Sequence, residues 1–434
     1  MAYSYDNSRL HGLPDGVVFA TCHEDVAVVL GLAHAHGVPV VARGRGTNTV
    51  GSTVPSAGGI ALSLERMTRI LDYQPDDRLL VCEPGTLNSS VQAQAAADRL
   101  FWAPDPTSAA YSTVGGNIAC GAGGPRAVKY GTARDAVLGL RAVDGTGRSL
   151  RTGCRTSKGV VGYDLTRLLV GSEGTLAVIT EATLRLLPQP EQKRTMRAAY
   201  ATVDAAVAAV ARIMRQPAIP CAVEFMDDEA VRLARAYSAL DLPERTHALL
   251  LLEVDGAESS IAHDVAAIEA AARGEGLLDW QSAASVEDSV ALWSARKALS
   301  PALRHLAPKK VNEDVVVPIS ALATLIRELR GLSKRHGLPI VNFGHAGNGN
   351  IHVNILADPD DGAQMQAIDA CLSDVFNVVL SLGGTLSGEH GVGIAKRDFV
   401  AREVDSDTLD RMHALKAVFD PKGILNPGKT LPGV

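Results

Sequence analysis

The spacing of apolar and polar positions divides the chain in two. From about Val17 to Pro188, short apolar runs alternate with glycine-rich turns. "VPVVARG" and "RLLVCEPG" read as buried strands that end in loops, and "HEDVAVVLGLAHAHG" has helical periodicity with a glycine stop. "GGIALSLERM", "LGLRAVDGTG" and "GTLAVITEATLRLLPQP" add further strands, the last with a proline-marked end. A boundary is expected near Gln189, so residues 1–188 form the first domain.

Beyond it the pattern changes. "RTMRAAYATV", "AIPCAVEFMD" and "HALLLLEVDG" are strand-like, with the helices "DAAVAAVARIMRQ" and "SIAHDVAAIEAAARGEG" between and after them. Two helices over one face of an antiparallel sheet is the split βαβ, ferredoxin-like pattern. Further helices are expected over about 285–306, 320–336 and 362–382, around the strands "NEDVVVP", "LPIVNFGH" and "NIHVNIL". The second domain is thus placed at 189–404. The tail, 405–434, is too short to be a domain. The sequence shows no internal repeat. The class is α+β.

Composition changes this picture little. Of 434 residues, 46% are hydrophobic and 21% charged, a globular balance with a sizeable core. A net charge of −6 offers no footprint for nucleic acid. No charge-free apolar run reaches the length of a membrane span, and the first residues lack the basic start of a signal peptide. The six cysteines, Cys22, Cys82, Cys120, Cys154, Cys221 and Cys371, form no CxxC pair, which argues against a cluster ligand set or a redox dithiol and fits a reducing compartment. A cytoplasmic protein is expected, peripheral at a membrane only through a partner.

Two nucleotide motifs fail on context. "GILNPGKT" fits the phosphate loop of ATPases, but Pro432 and the end of the sequence follow it where that loop needs a helix. "ARGRGTNTVGS" follows a strand, yet its glycine spacing and the strand-like sequence after it are not those of a Rossmann turn. Its glycines, hydroxyls and arginines can still cradle a pyrophosphate through successive amides. "PDPTSAAYSTVGGNIACGAGGPRAVKYG" and "VGSEGTLAVIT" are two more loops of the same kind. Three such loops in one domain suggest a long ligand wrapped by backbone, such as a dinucleotide.

In "VNFGHAGNGNIHVNI" a strand, a turn and a second strand carry His345 and His352, which can converge. "SGEHGVG" supplies Glu389 as a third ligand and His390 beside it. Two imidazoles and a carboxylate suit zinc, manganese or iron and leave open positions. Spacing alone leaves open the plainer reading, in which turn histidines donate to nearby carbonyls.

Taken together, "RGRGTN", "PDPTS", "GGNIACGAGG", "KYG", "VGSEGTLAVIT" and "FDPKGILNPGK" resemble the FAD-linked D-2-hydroxyacid dehydrogenases. This family includes the flavin subunit of bacterial glycolate oxidase, D-lactate dehydrogenases and D-2-hydroxyglutarate dehydrogenase. The resemblance runs from about Gly16 to Lys429. It implies a p-cresol methylhydroxylase-type FAD domain, a substrate or cap domain, and a C-terminal segment that returns to the flavin. It implies that Arg43, Gly44, Arg45, Gly46, Thr47 and Asn48 hold the FAD pyrophosphate. Pro106, Thr107, Ser108, Gly115, Gly116 and Asn117 would line the isoalloxazine and ribityl side. Gly121, Gly124, Gly174 and Ile179 would shape the rest, and Asn426 would come back to the ring. No histidine lies in the three loops, so FAD is expected without a covalent link.

The resemblance further implies that His345, His352 and Glu389 bind a divalent metal, zinc ahead of manganese or iron, and that Asn354 contacts the substrate. His390 is then the base that takes the hydroxyl proton. Arg296, with Ser300 one turn later on its helix, is expected to hold the substrate carboxylate. Asn312 stands where the 2-hydroxyglutarate branch has a lysine, which favours glycolate or D-lactate over that diacid. Lys309 and Lys310 are read as solvated charges. Hydride passes to FAD, and electrons leave to a separate acceptor: an iron–sulfur subunit, an electron-transfer flavoprotein or a quinone. The competing reading is a flavin-bearing electron-transfer subunit whose chemistry resides in a partner. A homodimer is compatible with all of this.

Overall fold

The computed structural model describes residues 1–237 and 241–433. The chain forms two compact units. The first comprises 1–124, 130–189 and 389–434, and the second 125–129 and 190–388. Against boundaries expected at 188/189 and 404/405, the first unit thus takes back the chain from Glu389 onward. The reason is local: the backbone amides of Val392 and Gly393 donate to the carboxylate of Glu173, at 2.7 and 2.8 Å.

In the first unit, β1 (Gly16–Phe19), β2 (Val40–Arg43) and β3 (Ile60–Ser63) make a parallel sheet in the order β1-β3-β2. Its helix, His23–His36, stops at Gly37, which takes the left-handed conformation (φ 67°) that glycine adopts without cost. Val26, Leu30 and Ala33 of this helix are buried with Val40, Leu62, Ile424 and Leu425. The tail therefore enters the core of the first sheet. Val40 donates to Ile424 O and Asn426 donates to Val40 O, both at 2.8 Å. Asp420 fixes the turn by accepting from Ile424 and Leu425 at 3.1 and 2.7 Å.

A five-stranded antiparallel sheet in the order β4-β5-β9-β7-β8 follows: β4 (Ile70–Gln74), β5 (Leu79–Cys82), β7 (Val137–Asp144), β8 (Ser149–Gly153) and β9 (Ala177–Arg185). The short pair β6 (Leu100–Phe101) and β10 (Leu187–Pro188) closes one end. Trp102, Ile118, Leu169 and Leu80 form the core behind this sheet.

The second unit is built on one antiparallel sheet of seven strands: β11 (Gln192–Tyr200), β12 (Ala222–Met226), β13 (Ala248–Gly256), β14 (Leu277–Ser282), β15 (Lys309–Val316), β16 (Ile340–His345) and β17 (Asn350–Ala357). Their order is β14-β11-β13-β12-β16-β17-β15. The first four strands, with helices Val203–Arg215 and Ile261–Ala272, have the split βαβ topology expected. The remainder repeats it: strand β15, helix Leu322–His336, strands β16 and β17, helix Gly362–Ser381. Where a fourth strand would lie beside β15 there is a single bridge, Val316 to Thr385. The repetition is one of topology, so no repeat of residues betrays it.

Strands β12, β16 and β17 are buried along their whole length. On one face, Met226, Leu249, Val341, Phe343 and Leu356 pack under Ala230 and Leu233 of helix Asp228–Tyr237 and under Leu299 and Leu303 of helix Val286–Leu306. Side chains alternate along a strand. The same face therefore carries Glu224, His345, His352 and Asn354. Such buried polar groups need partners.

Candidate active site

In the first unit a cavity of about 280 Å³ is lined by Gly44, Arg45, Gly46, Thr47, Asn48, Pro106, Thr107, Ser108, Gly116 and Asn117. Asn7, Thr113, Cys120, Gly123, Glu389 and His390 also line it. A smaller one, lined by Arg43, Gly115, Gly174 and Ile179, shares Gly44, Thr53, Gly116 and Cys120 with it. The three glycine loops thus meet on one groove. Gly121, Gly124 and Asn426 do not line it. Gly121 caps the helix Val114–Cys120, Gly124 packs against Asp105, and Asn426 donates to the carbonyls of Ser52 and Glu173 at 2.8 and 2.6 Å.

The groove is shaped for a ligand that approaches backbone. A Cβ on Gly44 would run into Thr113, and one on Gly115 into Pro84. The side-chain Nδ2 of Asn117 is buried without a hydrogen-bond partner, as expected of a donor whose acceptor belongs to a ligand. The Arg43 guanidinium is directed to Tyr5 O (2.7 Å) and Thr53 Oγ1 (3.3 Å). Asn48 donates to His390 O at 3.0 Å, and its Oδ1 accepts from Val50 and Ser52. Of that loop, Gly44 to Asn48 line the larger cavity, and Arg43 and Asn48 also brace it. Burial pushes the Cys120 thiol up to about 12, which keeps it a thiol.

Glu173 ties these parts together. Its carboxylate accepts from Ser52 Oγ and from the amides of Val392 and Gly393, and its own amide donates to Ala119 O at 2.8 Å. Burial raises its carboxyl above the usual range, which those bonds and the Lys396 charge only partly offset. The Glu389–His390 stretch is thereby anchored to the groove, with His390 Nε2 3.8 Å from Glu389 Oε1.

In the second unit, His345 ends β16 and lies directly across from Glu224 of β12. His345 Nδ1 donates to Glu224 Oε1, so that in the neutral ring the lone pair falls on Nε2. His352 Nε2 faces that atom at 3.4 Å. Two ligand nitrogens on a tetrahedral zinc stand about 3.3 Å apart, so this spacing fits an ion between them. Gly388, immediately before Glu389, donates to the carbonyl and carboxylate of Asp314 at 2.8 and 2.9 Å. Asp314 is the register partner of His352.

Arg296 is buried against the Phe343 ring, 4.5 Å from its centroid, and Nη2 reaches Glu224 Oε2 at 2.7 Å. Its buried Nε has no hydrogen-bond partner. Burial raises the Glu224 carboxyl, but His345 and Arg296 outweigh it and bring it down to about 2. Ser300 is exposed and accepts from Lys310 Nζ at 3.0 Å. Asn354 is fully buried; it donates to Val341 O and His352 O and accepts from Asn312 Nδ2 at 2.7 Å.

Sequence reasoning missed Glu224, Glu173 and Asn7. The signal for Glu224 was present: it is the one acid in the strand "AVEFM".

A family profile described as the C-terminal domain of FAD linked oxidases matches residues 189–430, and one described as an FAD binding domain matches 14–153. The chain is 37% identical to the glycolate oxidase subunit GlcD of Bacillus subtilis, over 99% of this chain and 92% of that one. It is 37% identical to a D-lactate dehydrogenase of Archaeoglobus fulgidus, over 96% and 91%. The structure of p-cresol methylhydroxylase superposes with a TM-score of 0.80 over 99% of this chain and 92% of that one, at 16% identity, which bears on fold alone. Among the described residues no helix is long and apolar enough to cross a membrane. The expected α+β class and p-cresol methylhydroxylase-type fold are those observed, and the chain belongs to the FAD-linked oxidases, an FAD-linked oxidoreductase by descent and architecture.

Proposed function

We propose that the protein oxidises a small D-2-hydroxy acid, glycolate or D-lactate, to the 2-oxo acid. The observation that carries this reading is that His390 lines the glycine-loop groove, while His345 Nε2 and His352 Nε2 face each other at 3.4 Å on the sheet of the second unit. Relatives named for glycolate and D-lactate support the substrate class.

FAD held without a covalent link by the backbone of Gly44–Thr47, by Pro106–Ser108 and by Gly115–Asn117 would supply the hydride acceptor. A divalent ion on His345, His352 and Glu389, zinc ahead of manganese or iron, would supply Lewis acidity that lowers the pKa of the substrate hydroxyl. His390 would accept the proton of the substrate hydroxyl, the hydride leaving the carbon that bears it. Arg296 binds the carboxylate through Nε and a terminal nitrogen, and Phe343 holds the guanidinium plane. Asn354, kept in place by Asn312, contacts the substrate, and Ser300 stands one turn along the Arg296 helix. With Asn312 engaged by Asn354 rather than offering a cation, one carboxylate is anchored. A monoacid follows. Electrons then pass to a separate carrier, as a protein related to a named oxidase subunit would require.

A pure electron-carrying subunit has no use for a buried Glu224–His345 pair and an opposed His352, which weighs against that alternative. Anaerobic addition of glycolate, D-lactate or D-2-hydroxyglutarate to the yellow protein tests the reading. Bleaching of the flavin by a monoacid, faster than by the diacid, is expected. A flavin that stays oxidised with all three refutes it.

A further inference from the structure

We infer that Glu224 is a shared positioning residue, through which one buried carboxylate sets both the metal-binding form of His345 and the seat of Arg296. The inference rests on the metal and anchor roles proposed above and goes beyond them. Each oxygen has its own partner: Oε1 accepts from His345 Nδ1, and Oε2 accepts from Arg296 Nη2 at 2.7 Å. The carboxylate is 1% exposed and lies across from His345 in strand register, so water cannot replace either bond.

Both bonds require an acceptor. Without one facing Nδ1, the His345 ring gains by protonating Nε2 instead, the nitrogen that faces His352. Without one facing Nη2, the Arg296 guanidinium loses the bond that keeps its unpartnered Nε fixed over Phe343. The two functions are therefore coupled by geometry and not by sequence proximity, since Glu224 is remote in the chain from both partners.

Glu224→Gln separates them. An amide has one acceptor and one donor where the carboxylate has two acceptors, so the variant satisfies His345 or Arg296 but not both. Zinc affinity of the flavin-loaded protein, measured by competition with a chelator, is read beside KM and kcat for the monoacid. Zinc affinity should fall by about 10–100-fold, the usual cost of losing a carboxylate behind a ligating histidine, or else KM should rise by about tenfold or more with kcat less affected. Glu224→Asp, with two acceptors on a shorter stem, should recover part of whichever is lost. Zinc affinity and KM both within twofold of the unaltered protein would overturn the inference. If the unaltered protein takes up no zinc, the metal reading fails, and KM alone decides whether Glu224 seats Arg296.

Discussion

The groove of the first unit and the sheet face of the second make their sites from different material. Around the groove, glycines let the main chain come close, and the large side chains Arg43, Asn48 and Glu173 brace the loops. On the sheet face the backbone is fully engaged in ladders, and Glu224, His345, His352 and Arg296 define the site through strand register and side-chain charge. A backbone site should be sensitive to an added methyl group. A side-chain site should be sensitive to a changed charge or donor count.

The largest effect is expected where this division fails. His390 lies on the backbone-built groove, yet its side chain is assigned the proton. His390→Asn should slow flavin reduction by about 10²–10⁴-fold, the contribution of a placed base, while zinc content is unchanged. Stopped-flow bleaching and metal analysis on one sample check both. Zinc lost along with the rate would make His390 a ligand.

Arg296→Lys keeps the charge and removes the planar fork, so capture of the monoacid should weaken by about 1.5–3 kcal/mol. The ratio kcat/KM reports it; an unchanged ratio would move the anchor elsewhere. Gly115→Ala tests the other material. Its Cβ would overlap Pro84 Cβ and meet Pro84 Cα and O at 3.0 Å, so a loss of about 1–3 kcal/mol is expected, seen as weaker FAD retention on dilution. Retention equal to that of the unaltered protein would show that Pro84 yields without cost.

The smallest effect concerns Asp227, three residues beyond Glu224 and equally buried. It accepts only neutral donors, from Ala230 N and from Asn342 N and Nδ2, and burial pushes its carboxyl up to about 7. Because the folded value lies above the unfolded one, near 3.8, the folded chain holds the proton more tightly between these limits. Its contribution to stability is complete below about pH 4 and is lost as pH rises through about 7. Asp227→Asn should flatten that part of the profile of melting temperature against pH. A slope identical to that of the unaltered protein would assign it to other groups.

The glycine loops were legible because a main chain at positive φ, or in close contact, leaves a mark on residue identity. Gly115 and Gly174 are such marks. His345 and His352 were legible because the turn between them is short enough to fix their partnership. Glu224 was not, because its meeting with His345 depends on the order of strands β12 and β16, far apart in sequence. The direction of Arg43 was equally hidden. An arginine in a glycine loop reads as an anion donor, and no sequence signal announces its bond to the carbonyl of Tyr5. Asn354 reads as a substrate contact; its bonds to Asn312, Val341 and His352 were hidden because they depend on strand register.

The hook by which Leu425 enters beside Val40 orders events during synthesis. The core of the first sheet contains Ile424 and Leu425, and about 200 residues separate Gln189 from Glu389. At about 5–20 residues per second, the ribosome needs roughly 10–40 s to supply that interval. For this time Val40, Leu62 and Leu30 wait without their last neighbours, while the seven strands of the second unit are being made. The nascent chain can therefore complete its second unit before the core of its first.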